Sequence, residues 1–460
     1  MSLLGERYAG KVMLEIWSRE NKVMMERKLW ISVMKIQAQL GLSIPTSTIS
    51  DYEKVLKKID LESIDSREIE LGHDVKARIE EFNALAGHEQ IHLGMTSRDL
   101  TENVELVQIK KGLALIQLKS RILLLRLANY AEFYAHTLIV ARTHNVPAQL
   151  TTLGKKFATW GEELELAEAN LENLISRLPI RGIHGAVGTN LDLKELIGDN
   201  VAELNKLLRL DLGFNNELIS PCQVYPRSLD FEVVSALFQI VAAPSTIATN
   251  IRLMSGLGIA SEQLPAGKTG SSAMPHKVNP RLSERVNSIA SSLKGYLTMV
   301  ADLSGSLWNE GDVSCSALRR VALPDAFYAA DGILEIMIQL LPQIKFNGAK
   351  IESEIREMIS EVSSSTLLMI AVKNGVGREV AHEALVRHSK RAKELGEDFF
   401  DLVLRDEVLG ITQQELTKTS TLALTNAGDA SNQAMEFSRK TRFHLEKFEI
   451  PSEYMSSEIR

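Results

Sequence analysis

Glu102–Thr137 reads ENVELVQIKKGLALIQLKSRILLLRLANYAEFYAHT, and this stretch decides the fold. Leu106, Ile109, Leu113, Ile116, Leu123, Leu127, Tyr130 and Tyr134 recur at alternating intervals of three and four, interrupted only at Ser120. That spacing lays one apolar stripe along one face of a helix and suits neighbours that cross at a shallow angle. At 1.5 Å per residue, about 35 residues make a helix about 50 Å long. Such a length belongs to a bundle rather than to a small mixed domain.

Working outward, the same periodicity predicts helices over Lys155–Arg177, Leu229–Ser255, Pro280–Ser304 and Ala317–Leu341. Turn-rich pieces separate them at Gly182–Gly188, Gln263–Ser272 and Trp308–Ser316. Alternating strand patterns are scarce. The expected fold is all-α, with three helical regions at 1–96, 97–346 and 347–460, the middle one a long-helix bundle. No internal repeat or low-complexity tract interrupts it. The chain has 460 residues, more than one compact core usually holds.

Composition excludes several classes. A net charge of −7 argues against a nucleic-acid partner, which needs a basic surface. The N-terminus MSLLGERYAG has no cationic segment followed by an apolar core, so no signal peptide is expected. Ile122–Leu127 reads as the densest apolar run; it is broken by Arg126 and too short to span a bilayer. Two cysteines, Cys222 and Cys315, suggest neither a disulfide framework nor a metal cluster. The expectation is a cytoplasmic protein with no membrane partner. Its ligand is left open, because a few arginines in one cleft hold an anion whatever the global charge.

Two motifs invite a wrong reading. His88-Glu89-Gln90-Ile91-His92 matches the zinc-protease pattern, but Gly87 and Gly94 bracket it and no third ligand follows. Ala266-Gly267-Lys268-Thr269 resembles the end of a phosphate loop, but Glu262 stands where the leading glycine belongs. No metal and no cofactor are expected.

The strongest chemical signal is Gly270-Ser271-Ser272-Ala273-Met274-Pro275-His276-Lys277-Val278-Asn279-Pro280. It is a glycine-led loop with two hydroxyls, a cation and an amide, ending on a proline suited to a first helical turn. Its backbone N–H groups, Lys277 and Asn279 suit a carboxylate. Taken alone, such a cluster is also compatible with a plain solvated linker. It resembles the signature loop of the fumarase/aspartase superfamily, whose members share a trimodular helical fold and a tetrameric helical core and eliminate fumarate or a related product. Further segments resemble the adenylosuccinate lyase branch in order: Arg7-Tyr8, His73-Asp74-Val75, Leu93-Gly94-Met95-Thr96-Ser97, Thr143-His144, Pro147-Ala148-Gln149, Gln223-Val224-Tyr225-Pro226-Arg227, Ser283-Glu284-Arg285, and Ser316 through Arg319-Arg320.

The resemblance implies cleavage of a succinylated nucleotide into fumarate and AMP, or into fumarate and the imidazole carboxamide ribotide AICAR. It implies Ser271 as base, His144 as general acid and His73 as its partner. Lys277, Asn279, Thr96 and Ser97 would bind the succinyl carboxylates, and Glu284 would orient Lys277 or the loop. Arg7, Tyr8, Arg285, Ser316 and Arg320 would hold phosphate and ribose, with Asp74, Gln223 and Ser272 also at the substrate. It further implies a homotetramer with active sites shared between subunits. Two positions depart from the branch pattern: Gly72 and Gly311 stand where many relatives carry arginine, the second in a manner that itself resembles one sub-branch. The competing expectations are a sibling lyase or cycloisomerase acting on another carboxylated substrate, and a catalytically silent helical scaffold.

Overall fold

The computed structural model describes residues 2–263, 274 and 277–457. Ser271, Ser272, His276 and the phosphate-loop look-alike Ala266–Thr269 lie outside them. The architecture is all-α, and five long helices form its body: Ser97–Phe133, Leu153–Arg177, Ser228–Gly256, Arg281–Leu303 and Ser314–Leu340. The Ser97–Phe133 helix runs 37 residues and packs on Leu153–Arg177 and Ser314–Leu340. Its predicted stripe is its buried face: Leu106, Ile109, Leu113, Ile116, Leu123 and Leu127 are all fully buried. Tyr130 and Tyr134 close the stripe by stacking on Phe157.

This helix begins at Ser97, five residues before Glu102, because Asp99 reaches back and accepts from the Thr96 N–H at 2.7 Å. The most apolar helix is Ser228–Gly256, not the run at Ile122–Leu127. By length and composition it is able to cross a membrane, but it packs between Leu153–Arg177 and Arg281–Leu303, with 56% of its most apolar window buried.

Strands are few but not absent. Leu138–Thr143 and Val146–Thr152 form an antiparallel hairpin that the helical reading passed over. Two short pairs, Pro179–Ile180 with Asn216–Glu217 and Ala260–Glu262 with Ile344–Phe346, tie loops to the bundle ends.

The side chains pack into two cores. The larger runs from Met13 to Val362 and takes in Phe437 and Leu445; the smaller is formed by residues between Leu367 and Leu416. The Ala430–Leu445 helix therefore returns to the bundle, against Ser97–Phe133 and Leu153–Arg177. The tail follows it: Tyr454 donates to Glu335 at 2.6 Å, inside a buried cluster with Lys119 and Asp331.

Candidate active site

Three helices begin at one place. Asp74–Ala86 starts at its N-cap His73, Ser97–Phe133 at Thr96, and Ser314–Leu340 at Val313. Their first turns surround a cavity of about 150 Å³ whose lining includes Lys22, His73, Asp74, Ser97, Arg98, Ser316 and Arg320. It adjoins a cleft of about 890 Å³ that shares Lys22, Asp74 and Arg320 and continues past Gly72 between Arg19 and Arg78. Helix N-termini carry unpaired N–H groups and positive dipole ends, so three of them with Lys22, Arg98 and Arg320 make a seat for an anion.

Hydrogen bonding orients each group. His73 Nδ1 accepts from the Lys76 N–H at 3.2 Å, so the neutral ring keeps its proton on Nε2. Asp74 accepts from Val75 N–H at 2.8 Å, Arg320 at 3.3 Å and Arg78 at 3.4 Å. Burial pushes the Asp74 carboxyl up, but Arg78, the Val75 N–H and Arg320 outweigh it and hold it below its ordinary value. Ser316 Oγ accepts from Arg98 at 2.9 Å.

Beneath the cavity lies a buried charge network that the sequence reading did not single out. Asp99 takes N–H groups from Thr96, His184 (2.8 Å) and Gly185 (3.1 Å), and pairs with the fully buried Arg181. Arg181 donates on to the Cys222 carbonyl at 2.9 Å, next to Gln223. Glu102 accepts both bonds of Arg227, at 2.8 and 2.9 Å, while Arg319 donates to Asp230 and Glu105 at 2.7 Å each. Arg227, which the motifs contain, is thus engaged below the site, and Arg319, though it lines the cavity, is buried and held by these carboxylates. Polar residues at 98, 99, 102 and 105, directly before an apolar stripe, were the signal available. A buried charge inside a helix needs partners.

Among the described residues, Arg7, Tyr8, His144, Gln223, Lys277, Asn279, Glu284 and Arg285 do not line this cavity. Tyr8 lies 5.5 Å from the Arg285 guanidinium and 5.9 Å from that of Arg7, ring centroid to carbon. Its carbonyl sits against Gly332, where an added Cβ would come within 2.6 Å. Gly332 is twelve residues beyond Arg320 in the same helix, about 18 Å along its axis. His144 and Asn145 form the two-residue turn of the hairpin, with φ of 52° and 64°, and the His144 side chain is exposed. Lys277 is exposed and Asn279 half-buried at the end of the signature loop. Glu284 is exposed and, among the described residues, has no side-chain partner. The carboxylate that fixes this helix start is Glu262, which accepts from Leu282 N–H, Ser283 N–H and Ser283 Oγ at 2.7–3.0 Å.

The zinc-protease look-alike is occupied otherwise. His88–His92 is not helical; His88 Nε2 meets Asp51 at 3.0 Å, and His92 Nδ1 accepts from Trp30 Nε1 at 3.0 Å. Among the described residues no group of three or more His, Cys, Asp or Glu stands together as a metal site.

Comparison with known proteins gives this geometry its family. A lyase family model matches residues 11–295. The adenylosuccinate lyase of Schistosoma mansoni is 33% identical over 417 residues, covering 88% of this chain and 87% of that protein. The chain belongs to the adenylosuccinate lyase family. The Saccharomyces cerevisiae adenylosuccinate lyase is 32% identical over 429 residues, covering 90% of this chain and 89% of that one. In fold, the chain matches the 3-carboxy-cis,cis-muconate lactonizing enzyme of Pseudomonas putida at a TM-score of 0.84, with 19% identity over 96% of this chain and 99% of that chain.

Both departures from the adenylosuccinate lyase pattern have local structural reasons. Gly72 ends the Leu61–Leu71 helix in the left-handed conformation, φ 65°, which suits glycine. Gly311, at φ 138°, lies so close to Gln223 that a Cβ would come within 3.2 Å of that side chain. An arginine there would strain the backbone and displace Gln223.

Proposed function

We propose that this lyase eliminates fumarate from adenylosuccinate, giving AMP, and from succinylaminoimidazole carboxamide ribotide, giving AICAR, as steps of purine biosynthesis. The observation that carries the reading is the meeting of three helix N-termini around His73, Ser97, Arg98, Ser316 and Arg320 in a chain of this family. The phosphate takes the N-terminal dipoles with Ser316 and Arg320, and Thr96 and Ser97 take a succinyl carboxylate. Ser271 removes the proton beside the second carboxylate, which becomes electron-rich as the carbanion forms; Lys277 and Asn279 stabilise it. The electron pair then forms the fumarate double bond, the C–N bond breaks, and His144 protonates the departing nitrogen. General acid–base transfer contributes about 10²–10⁴-fold, so preorganised charge supplies much of the remainder.

The working form in this reading is a cytoplasmic homotetramer. Its support is that each chain carries three partial sites: the His73–Arg320 cavity, the Arg7–Tyr8–Arg285 cluster and the His144 turn. An exposed general acid at a hairpin tip is of use to a cavity on a neighbouring subunit. The two free cysteines fit a reducing compartment. The test is fumarate release by the purified protein from adenylosuccinate and from the imidazole analogue in parallel. Release from either supports the reading; a folded oligomer that binds both nucleotides and releases nothing overturns it.

A further inference from the structure

Arg98 is a cation that the family motifs quoted above do not include. It reaches Glu102 at 3.2 Å, but Glu102 already holds both bonds from Arg227, and Arg319 lies 3.6 Å away. Of the three guanidinium groups around that carboxylate, Arg98 is the least buried, its side chain 13% exposed against 4% and 3%. It also lines the cavity and bonds Ser316. Arg227 and Arg319 are shared with Asp230 and Glu105, so Arg98 is the outermost guanidinium of this network and, holding Glu102 by one N–H, keeps others for the cavity it lines.

Its geometry suits that service. One Nη2–H goes to Ser316 Oγ at 2.9 Å and the other to the Asp312 carbonyl at 3.4 Å, while one Nη1–H goes to Glu102. The Nε–H and the second Nη1–H have no acceptor among the described residues. Ser316 accepts from a cation and donates to nothing among the described residues, so its own hydroxyl proton is left for a ligand and is made a stronger donor by polarisation.

We propose that Arg98 is a phosphate-binding residue of this site, acting directly through its free N–H groups and also by turning the Ser316 hydroxyl toward the same phosphate. The ligand class is a phosphate monoester, and the proposal rests on the functional reading above. The test replaces Arg98 with Met, which keeps the stem packed, and with Lys, which keeps the charge but not the fork. In Arg98→Met we expect KM for adenylosuccinate to rise at least tenfold with kcat within about twofold, inhibition by inorganic phosphate and by AMP to weaken in parallel, and inhibition by fumarate to stay unchanged. Arg98→Lys should recover part of the loss. A KM within twofold of wild type, or a fall in kcat alone, overturns the proposal. Calorimetric titration of AMP and of inorganic phosphate into wild type and Arg98→Met separates the two readings. A wild type that binds both but releases no fumarate, with binding lost in the variant, sinks the lyase reading and leaves this site standing. Equal binding by the two proteins, or no binding by wild type, overturns the site.

Discussion

Asp99→Asn tests how the cavity is held. Asp99 is fully buried and accepts N–H groups from Thr96, His184 and Gly185 while pairing with the fully buried Arg181. Asparagine keeps the shape, removes the charge and turns an NH₂ group toward donors. Removing one partner of a buried ion pair costs about 3–5 kcal/mol, because the other charge is left uncompensated. With an unfolding entropy of about 2.1 cal/mol/K per residue, a chain of 460 residues loses about 1 °C per kcal/mol, so Tm should fall by about 3–5 °C. The substitution also loosens the Thr96–Ser97 turn, so KM for the succinyl nucleotide should rise. The assay is a thermal melt and steady-state kinetics on four proteins: wild type, Asp99→Asn, Arg181→Met and the double variant. The double variant should melt above the sum of the two single losses, since it removes both charges, with a coupling of about 2 kcal/mol or more. Additivity within about 0.5 kcal/mol would refute the account, because the pair would then not be what holds the turn.

Three further outcomes are expected. Gly72→Arg meets no atom within 4 Å of its new Cβ, so it should cost only the left-handed backbone, about 1–2 kcal/mol in a denaturant melt. It should also lower KM several-fold in a salt-sensitive way; an unchanged KM would show that the arginine of relatives serves something other than this cleft. Burial pushes His92 down to about 4, below its ordinary 6.5, so the unfolded chain binds the proton first. The stability it contributes is present above pH 6.5 and lost as pH falls toward 4, by about 3 kcal/mol. His92→Asn, which tolerates the φ of 66°, should flatten that loss in urea melts at pH 7 and 4.5, and parallel slopes in the two proteins would refute it. Chains carrying Ser271→Ala and chains carrying His144→Asn should each be inactive alone and regain activity when dissociated and reassembled together. No recovery in the mixed assemblies would sink the shared site.

The helices were legible because burial imposes a period on the chain. Leu106 through Leu127 fixed the long helix, and the four other predicted helices have both ends within three residues of the observed ones. The hairpin was missed because its turn is two residues long and its strands have no clean alternation. Even so, His144-Asn145 between β-branched runs is a turn signal, both residues being tolerant of positive φ. The charge network under the cavity was partly visible as polar residues at the head of an apolar helix.

Local patterning by itself determined the helices and the loop chemistry, since spacing and residue type are written in the chain, and the resemblance to a family supplied the candidate residues. Only the tertiary structure decided which candidates meet. Arg319 and Arg320 are neighbours in one motif, yet Arg319 is buried among carboxylates and Arg320 stands exposed at the cavity. Helix packing brings residues 73, 97 and 316 to one cavity while leaving 8, 144 and 285 elsewhere. Those distances depend on how long helices cross, and a crossing angle is a property of side chains from several segments packing together, which no single stretch of sequence contains.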